Sequence, residues 1–210
     1  MSKATEYRLK DNTKVPGTTT IISGQLGWNK GPLMWWACSE GKAGRDFRET
    51  RDEAADLGTI VHACIEAELR GKPWPKVPDE HKDKVDNSVL AFYQWREGYQ
   101  FNVIETEAAM VSERHRYGGR PDLALVRSMP ELWDLKTSKD VYADHKIQLA
   151  AYQRLWDENH PERPITGGLH LLRVGKEDGS FHHHWWPELN NAWEAFLLLR
   201  QLYDLQRKLK

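Results

Sequence analysis

Apolar residues recur at three- and four-residue spacing in two stretches of the first half of the chain, which is the spacing of an amphipathic helix. One stretch runs from Arg51 to Leu69, and its stripe consists of Ala54, Leu57, Val61, Ile65 and Leu69. The other runs from about Asp79 to Gly98, with Val85, Val89 and Phe92 in its stripe. A glycine and several prolines separate the two stretches, and both residue types interrupt helices. The pattern therefore predicts two long helices.

Short apolar runs bounded by turn residues follow these helices, and such runs are typical of β-strands. The predicted order is three strands, a helix, two strands and a last helix that opens at Pro187: Ala108–Ser112, Asp122–Arg127, Glu131–Thr137, Tyr142–Asn159, Gly168–Val174, Ser180–Trp186 and 187–210. The first fifty residues predict an extended stretch from Thr13 to Ile22 and an aromatic helix around Pro32 to Ser39.

This order of elements predicts an α/β fold, in which helices flank a small central mixed β-sheet. A chain of 210 residues is long enough for one good core and short for two ordinary domains. We therefore expect a single domain. Within it, residues 1–50 would form an N-terminal helical extension, 51–186 the catalytic core and 187–210 a C-terminal helix.

Charge and cysteine content narrow the functional classes. Acidic and basic residues number 31 and 30, so no overall positive field draws the protein onto nucleic acid, and any DNA contact must be local. The sequence has no apolar run typical of a secretory signal or a membrane span, which predicts a cytoplasmic protein without a membrane partner. Two cysteines, Cys38 and Cys64, cannot supply four thiolates for an iron–sulfur cluster. We expect both to be small buried residues.

One acid-x-Lys triplet differs in context from the three others in the chain. Asp134 and Lys136 lie inside an apolar run, where strand alternation places both side chains on one face of the sheet. Burying a carboxylate and an ammonium group is costly unless they are paired or bound to a metal. A simple buried ion pair is the alternative that this triplet alone leaves open.

Asp122 lies twelve residues before Asp134, directly after a turn formed by Gly118 and Gly119. If the two strands pair antiparallel, both carboxylates converge at one end of the sheet. Two carboxylates and one backbone carbonyl suit Mg²⁺, which prefers oxygen ligands in octahedral geometry. The sequence therefore predicts a divalent-cation site here.

Four motifs resemble those of the PD-(D/E)XK nucleases of the RecB and phage-exonuclease type. In chain order they are a Gly-x-x-x-His helix (Gly58 to His62), the Tyr117-Gly-Gly-Arg-Pro-Asp122 stretch, the Asp134-Leu-Lys136 triplet and a Gln-x-x-x-Tyr helix (Gln148 to Tyr152). Asp134 replaces the more frequent glutamate of this family. The resemblance implies a restriction-endonuclease-like fold with an αβββαβ core.

The resemblance also implies roles for these residues. His62, Asp122, Asp134 and the Leu135 carbonyl would hold one or two Mg²⁺ or Mn²⁺ ions, and Lys136 would attend the attacking water. Gln148 and Tyr152 would contact the phosphate backbone or hold the Lys136 side chain. Arg116 and Arg120 flank the approach to Asp122 and are candidate phosphate contacts, with solvated surface charges as the alternative.

The function implied is a metal-dependent DNA phosphodiester hydrolase, with an exonuclease of phage-type replication, recombination or repair preferred. A structure-specific or restriction-type endonuclease would share every catalytic residue, and a catalytically silent nucleic-acid-binding module would keep the fold. DNA is the expected partner, and a single-strand-binding or recombination protein would suit the same role. If the protein is phage-encoded, it would act in the cytoplasm of a bacterial host.

Several other residues remain open. Glu66 shares a helix face with His62, and Glu107 stands just before the first predicted strand, where site contact and a solvated charge are equally plausible. The His182-His183-His184 run offers two zinc ligands at most, and an exposed strand end is preferred. Most of the ten tryptophans would fill the core or line grooves, with stacking on unpaired bases as the alternative.

Overall fold

A computed structural model describes residues 5–209. The helices of this part of the chain are α1 (Thr18–Gln25), α2 (Lys30–Lys42), α3 (Phe47–Leu69), α4 (Lys82–Glu97), α5 (Ala143–Asn159) and α6 (Asn190–Lys208), with a short 3₁₀ turn at Asp79–His81. The strands are β1 (Tyr7–Arg8), β2 (Lys14–Val15), β3 (Asn102–Thr106), β4 (Met110–Ser112), β5 (Tyr117–Gly119), β6 (Leu123–Val126), β7 (Pro130–Lys136), β8 (Leu169–Val174) and β9 (Phe181–Trp186).

Five strands form the central sheet in the order β3-β6-β7-β8-β9. β3, β6 and β7 are antiparallel neighbours, β7 and β8 run parallel, and β9 returns antiparallel to β8. A parallel pair needs a crossover connection, and α5 lies within the segment that joins β7 to β8. The sheet is therefore mixed and flanked by helices, which confirms the predicted fold class.

The sheet separates two hydrophobic cores. Leu132 of β7 packs in one core with residues of α1, α5 and α6, including Ile21, Leu155 and Phe196. Trp133 and Leu135 face the other core, which α3 and α4 complete. Each fully buried leucine or phenylalanine side chain contributes about 1.5–3 kcal/mol. Strand alternation along β7 thus supplies both cores and leaves Asp134 among buried surroundings, with 1% of its surface exposed.

The first of the three sequential strands lies elsewhere than predicted. Asn102–Thr106 is the strand that joins the central sheet, whereas Met110–Ser112, inside the predicted Ala108–Ser112, pairs with Tyr117–Gly119 in a separate two-stranded sheet. The prediction was wrong because β3 is an edge strand with mostly exposed residues, so it carries little apolar signal. The buried Met110 and Ser112 mimic a core strand.

The extended stretch predicted from Thr13 to Ile22 was also wrong for most of its length. Only Lys14–Val15 is a strand, and Thr18–Gln25 is a helix. Ile21 and Ile22 face the core with α5 and α6, and this packing outweighs the weak helix preference of β-branched residues. The last helix begins at Asn190, three residues beyond the predicted Pro187.

The two cysteines differ in environment. Cys64 is buried, as predicted, and burial raises the pKa of its thiol to about 11. Cys38 is exposed on α2, so its predicted burial was wrong. Across residues 5–209, the structure contains no helix with the length and apolar character needed to cross a membrane.

Candidate active site

The pairing of β6 with β7 brings the two aspartates together. Leu123 is opposite Trp133, so Asp122 and Asp134 lie on adjacent strands at the same end of the pair. The Leu135 N–H donates a 2.7 Å hydrogen bond to Asp122 Oδ2. Since the N–H and C=O of a strand residue point towards the same neighbouring strand, the Leu135 carbonyl also faces the Asp122 side.

The Lys136 side chain extends from the end of β7 towards α5. Its Nζ is 2.5 Å from Asp134 Oδ2 and donates a 3.0 Å hydrogen bond to Gln148 Oε1. The Gln148 amide nitrogen in turn donates to the Tyr152 hydroxyl at 2.9 Å. One turn of α5 separates Gln148 from Tyr152, so a single helix face holds the ammonium group of Lys136 in place.

His62 enters the site from α3. Its Nδ1 lies 3.3 Å from Asp122 Oδ1. Gly58, one turn earlier, faces the end of β7, and a Cβ there would lie 3.3 Å from Thr137 Oγ1. The absence of a side chain at Gly58 therefore lets α3 approach the sheet closely enough for His62 to reach Asp122.

Glu107 lies in the site, whereas the sequence pattern left site contact and a solvated charge equally plausible for it. Thr106 is opposite Leu123, so Glu107 follows β3 directly beside Asp122, and its N–H donates to the Asp122 carbonyl at 3.0 Å. Its φ is +53°, an uncommon value for a residue other than glycine. Recognition of Asn102–Thr106 as a strand would have predicted this position.

Potential metal-ligating atoms of His62, Glu107 and Asp122 all lie within 4.8 Å of one another. One imidazole nitrogen and two carboxylates, with the Leu135 carbonyl beside them, fit an Mg²⁺ or Mn²⁺ ion that keeps several waters. Asp134 is on the neighbouring strand, and its Oδ2 has the Lys136 ammonium group as its near partner. The residues present therefore fit a divalent cation, with Glu107 as a ligand candidate beyond the predicted set.

The charged groups perturb one another strongly. Burial alone would raise the pKa of Asp122, but His62, Lys136 and the Leu135 N–H hold it well below its usual range. Burial raises the pKa of Asp134 to about 6, and repulsion by Asp122 adds to this effect while Lys136 opposes it. Burial and the Asp122 charge raise the pKa of Glu107 to about 7. Carboxylates so close together favour either a proton or a metal cation between them.

Burial acts in the opposite direction on the pKa values of the two basic residues, Lys136 and His62. Burial would lower the pKa of Lys136, but the neighbouring Asp134 and Asp122 carboxylates raise it above its ordinary value. Burial would likewise lower the pKa of His62, and Asp122 reverses that shift. Lys136 is therefore a charged donor at neutral pH in this arrangement.

The aspartate and histidine side chains open into a cleft of about 640 Å³. Residues of α1, α3, α5, β1, the segment after β3 and the β5–β6 turn line it, and Glu66, Glu107, Arg120 and Tyr152 are among them. The cleft is wide enough for part of an extended chain-like substrate, and its wall is mostly polar.

The two predicted phosphate contacts are placed differently. Arg120 lines the cleft, where its Nε lies 2.6 Å from Glu107 Oε2. Arg116 is in the turn between β4 and β5, where its carbonyl accepts a hydrogen bond from Arg200, and it is not among the residues that line the cleft. Glu66 lines the cleft and pairs with Arg70 at 3.0 Å.

The three consecutive histidines lie on β9. His182 is exposed, whereas His183 turns inwards, where its Nε2 is 2.9 Å from His170 Nδ1 and its Nδ1 is 2.8 Å from the Tyr99 hydroxyl. Both imidazoles stack on Trp133. His183 therefore belongs to a partly buried hydrogen-bonded group packed on Trp133, whereas His182 is exposed as predicted.

Comparison with known proteins identifies the family. The family model of the PD-(D/E)XK nuclease superfamily matches residues 29–201, and the chain belongs to this superfamily. No curated protein matches the chain.

Three solved structures are similar to the chain at low identity. A phage-related exonuclease from Haemophilus somnus is 13% identical, with a TM-score of 0.42 and coverage of 97% of this chain and 98% of that one. An alkaline exonuclease from Laribacter hongkongensis is 12% identical, with a TM-score of 0.36 and coverage of 71% and 83%. The protein SSO0001 is 16% identical, with a TM-score of 0.34; the match covers 56% of this chain and 60% of SSO0001.

Proposed function

We propose that the protein is a divalent-metal-dependent DNA phosphodiester hydrolase that acts as an exonuclease. The observation that supports the proposal is that the side chains of four motifs form one group of close contacts, part of which lines the cleft. His62 comes from α3, Asp122 from the start of β6, Asp134 and Lys136 from β7, and Gln148 with Tyr152 from α5. A buried ion pair kept only for stability would explain Asp134 and Lys136 but not the other groups.

His62, Glu107 and Asp122 would hold a Mg²⁺ or Mn²⁺ ion, with Asp134 and the Leu135 carbonyl as further ligands. When bound, such an ion lowers the pKa of a coordinated water and neutralises phosphate charge. The carboxylates of this chain bring the negative charge that attracts the cation. Burial, with a smaller contribution from the Asp122 charge, raises the pKa of Glu107 and of Asp134, and a bound cation would favour their ionised forms.

Lys136 supplies the positioned donor of the proposed mechanism. Its Nζ has a fixed location because Asp134 and Gln148 hold it on two sides. From there it can donate a hydrogen bond to the attacking water or to a non-bridging oxygen of the scissile phosphate. Tyr152 orients Gln148 and lines the cleft, where a hydroxyl can contact the DNA backbone.

The experiment is a nuclease assay with Mg²⁺ or Mn²⁺ on end-labelled linear DNA and on covalently closed circular DNA. An exonuclease degrades the linear form and leaves the circle intact. Cleavage of the circle would instead favour the structure-specific or restriction-type endonuclease. Binding without cleavage of either substrate, over a range of both metal ions, would overturn the hydrolase proposal in favour of a nucleic-acid-binding module.

The biological role we propose is DNA replication, recombination or repair of the phage type. It rests on the resemblance of the four motifs to nucleases of the RecB and phage-exonuclease type. A processive exonuclease in such a role leaves a single strand, on which a single-strand-binding or recombination protein would act.

A further inference from the structure

Helix α2 is almost entirely exposed. Of its thirteen residues, Glu40 is the buried one. Large apolar side chains stand in solvent on this helix and in the turn before it: Trp28 (61% exposed), Leu33 (53%), Met34 (72%) and Trp35 (78%). Surface apolar residues scattered singly are ordinary, but a run of this kind marks an interaction surface.

The helix connects two elements that line the cleft. α1 contributes Thr19 and Thr20 to the cleft wall, and α3 contributes Gly58 and His62. The far end of α2 is anchored to the start of α3, because the Glu40 carboxylate accepts hydrogen bonds from Arg45 and from Thr50. α2 therefore joins two helices that form part of the cleft wall, and it contacts the second of them.

The exposed charges of this segment are positive. Lys30 and Lys42 are exposed on α2 and Arg45 follows it, whereas Glu40, the acidic residue of the helix, is buried and paired with Arg45. The chain as a whole has a net charge of −1, so this segment departs from the average surface. The surface therefore complements a polyanion.

The order of the apolar residues argues against a second helix as the occupant. Leu33, Met34, Trp35 and Trp36 are consecutive, so they spread around the helix instead of forming one stripe. A helix-pairing surface needs apolar residues at three- and four-residue spacing. Separate indoles among cations suit a flexible chain of flat aromatic rings and phosphates, which is an unpaired nucleic-acid strand.

We propose that Trp28 and Trp35, on the segment that joins two cleft-lining helices, form a stacking surface for bases of single-stranded DNA. The proposal rests on the function proposed above and adds to it a preference for substrates with an unpaired strand. The bases would stack on the indoles while Lys30 and Lys42 contact phosphates.

The test is binding of a fluorescein-labelled oligo(dT) 12-mer by fluorescence anisotropy, in EDTA so that no metal-dependent cleavage occurs. Loss of one stacked base costs about 1–3 kcal/mol, so Trp28→Ala and Trp35→Ala should each weaken binding roughly 5- to 150-fold. Trp35→Phe keeps an aromatic face and should restore binding to within about threefold of wild type. Trp185→Ala, which removes another exposed indole on β9, is the matched control and should bind like wild type.

Equal oligo(dT) binding by wild type, Trp28→Ala and Trp35→Ala would overturn the proposal. So would a Trp35→Phe variant as weak as Trp35→Ala, because the contact would then not be stacking. A change in molar mass by light scattering in the alanine variants would assign α2 to a protein interface instead. Circular dichroism melts identify any variant that fails to fold.

The same variants separate this proposal from the hydrolase. A wild-type protein that cleaves DNA, with both alanine variants unchanged in binding, contradicts the stacking surface alone. A wild-type protein whose oligo(dT) binding depends on Trp28 and Trp35, and which cleaves no DNA, contradicts the hydrolase alone.

Discussion

Lys136 is the residue on which the charge balance of the site depends. Its side chain is 18% exposed, its ammonium group lies against Asp134, and its charge contributes to keeping Asp122 ionised. A buried carboxylate pair without this cation would hold an extra proton. Removal of Lys136 therefore changes both a hydrogen-bond donor and the ionisation of the residues around it.

We predict that Lys136→Ala lowers the single-turnover rate of DNA cleavage on the order of 10²–10³-fold, as loss of one preorganised donor does in other hydrolases. Lys176→Ala, in the turn between β8 and β9, is the control and should keep the wild-type rate. A Lys136→Ala rate within a few-fold of wild type would show that the ammonium group is not needed for the chemistry.

Glu107 provides the residue-scale test of the metal site. Glu107→Gln removes one carboxylate from the group formed with His62 and Asp122, and we expect Mg²⁺ or Mn²⁺ to bind roughly 10- to 100-fold more weakly, as for other changes around metal ligands. Isothermal titration calorimetry measures this directly. Glu105→Gln removes an exposed carboxylate from the same segment, and equal losses in both variants would rule out a specific role for Glu107.

At the scale of elements, glycines allow strands to pack closely against the helices that carry the site residues. A Cβ at Gly119 would meet the Tyr152 ring, Leu155 and Thr18 at 2.7 Å each. β5 therefore contacts α5 and α1 along a surface that admits no side chain at this position, and Tyr152 is part of that contact.

Gly119→Ala should destabilise the fold by about 1–3 kcal/mol, because overpacking displaces neighbours in a close-packed interior. It should also lower cleavage, since displacement of Tyr152 disturbs its hydrogen bond with Gln148. Urea unfolding measures the first effect. Gly24→Ala, where a Cβ meets nothing within 4 Å, is the control, and a Gly119→Ala midpoint equal to that control would contradict the prediction.

The elements that the sequence predicted best are those with a strong local signal. β7 has a clear apolar alternation and α5 has a clear apolar stripe. The sequence alone therefore predicts which faces of these elements carry Asp134, Lys136, Gln148 and Tyr152. β3 could not be placed, because an edge strand receives little packing and its residues are mixed. The role of Glu107 depends on the pairing of β3 with β6, which is a long-range property.

At the scale of the whole molecule, the sheet supports two polar centres of different character. The cleft gathers charged groups that attract a cation, whereas His170, His183 and Tyr99 form a hydrogen-bonded group stacked against Trp133. Burial lowers the pKa of His170 to about 3 and that of His183 to about 4. Both imidazoles are therefore neutral in the folded protein at mildly acidic pH.

This neutrality predicts acid sensitivity. In the unfolded chain these histidines take up protons below about pH 6.5, whereas in the folded chain they do so only near pH 3–4. Between these two pH values the unfolded state binds more protons than the folded state. The free energy of unfolding therefore falls as pH decreases, by at most about 1.4 kcal/mol per pH unit for His170.

Urea unfolding of His170→Gln between pH 4.5 and 7.5 should give a shallower pH dependence than the wild type. His182→Gln, on the exposed side of β9, serves as the control and should keep the wild-type slope. Parallel curves for all three proteins would mean that His170 does not titrate differently in the two states.

The proposed catalytic groups come from both sides of the sheet. His62 belongs to a helix packed on one hydrophobic core, and Gln148 and Tyr152 belong to a helix packed on the other. Either helix can separate from the sheet in a partial, sub-global opening before the chain denatures. Such an opening would separate the proposed catalytic side chains from one another while most secondary structure persists. On warming, loss of turnover should therefore precede the loss of helical signal.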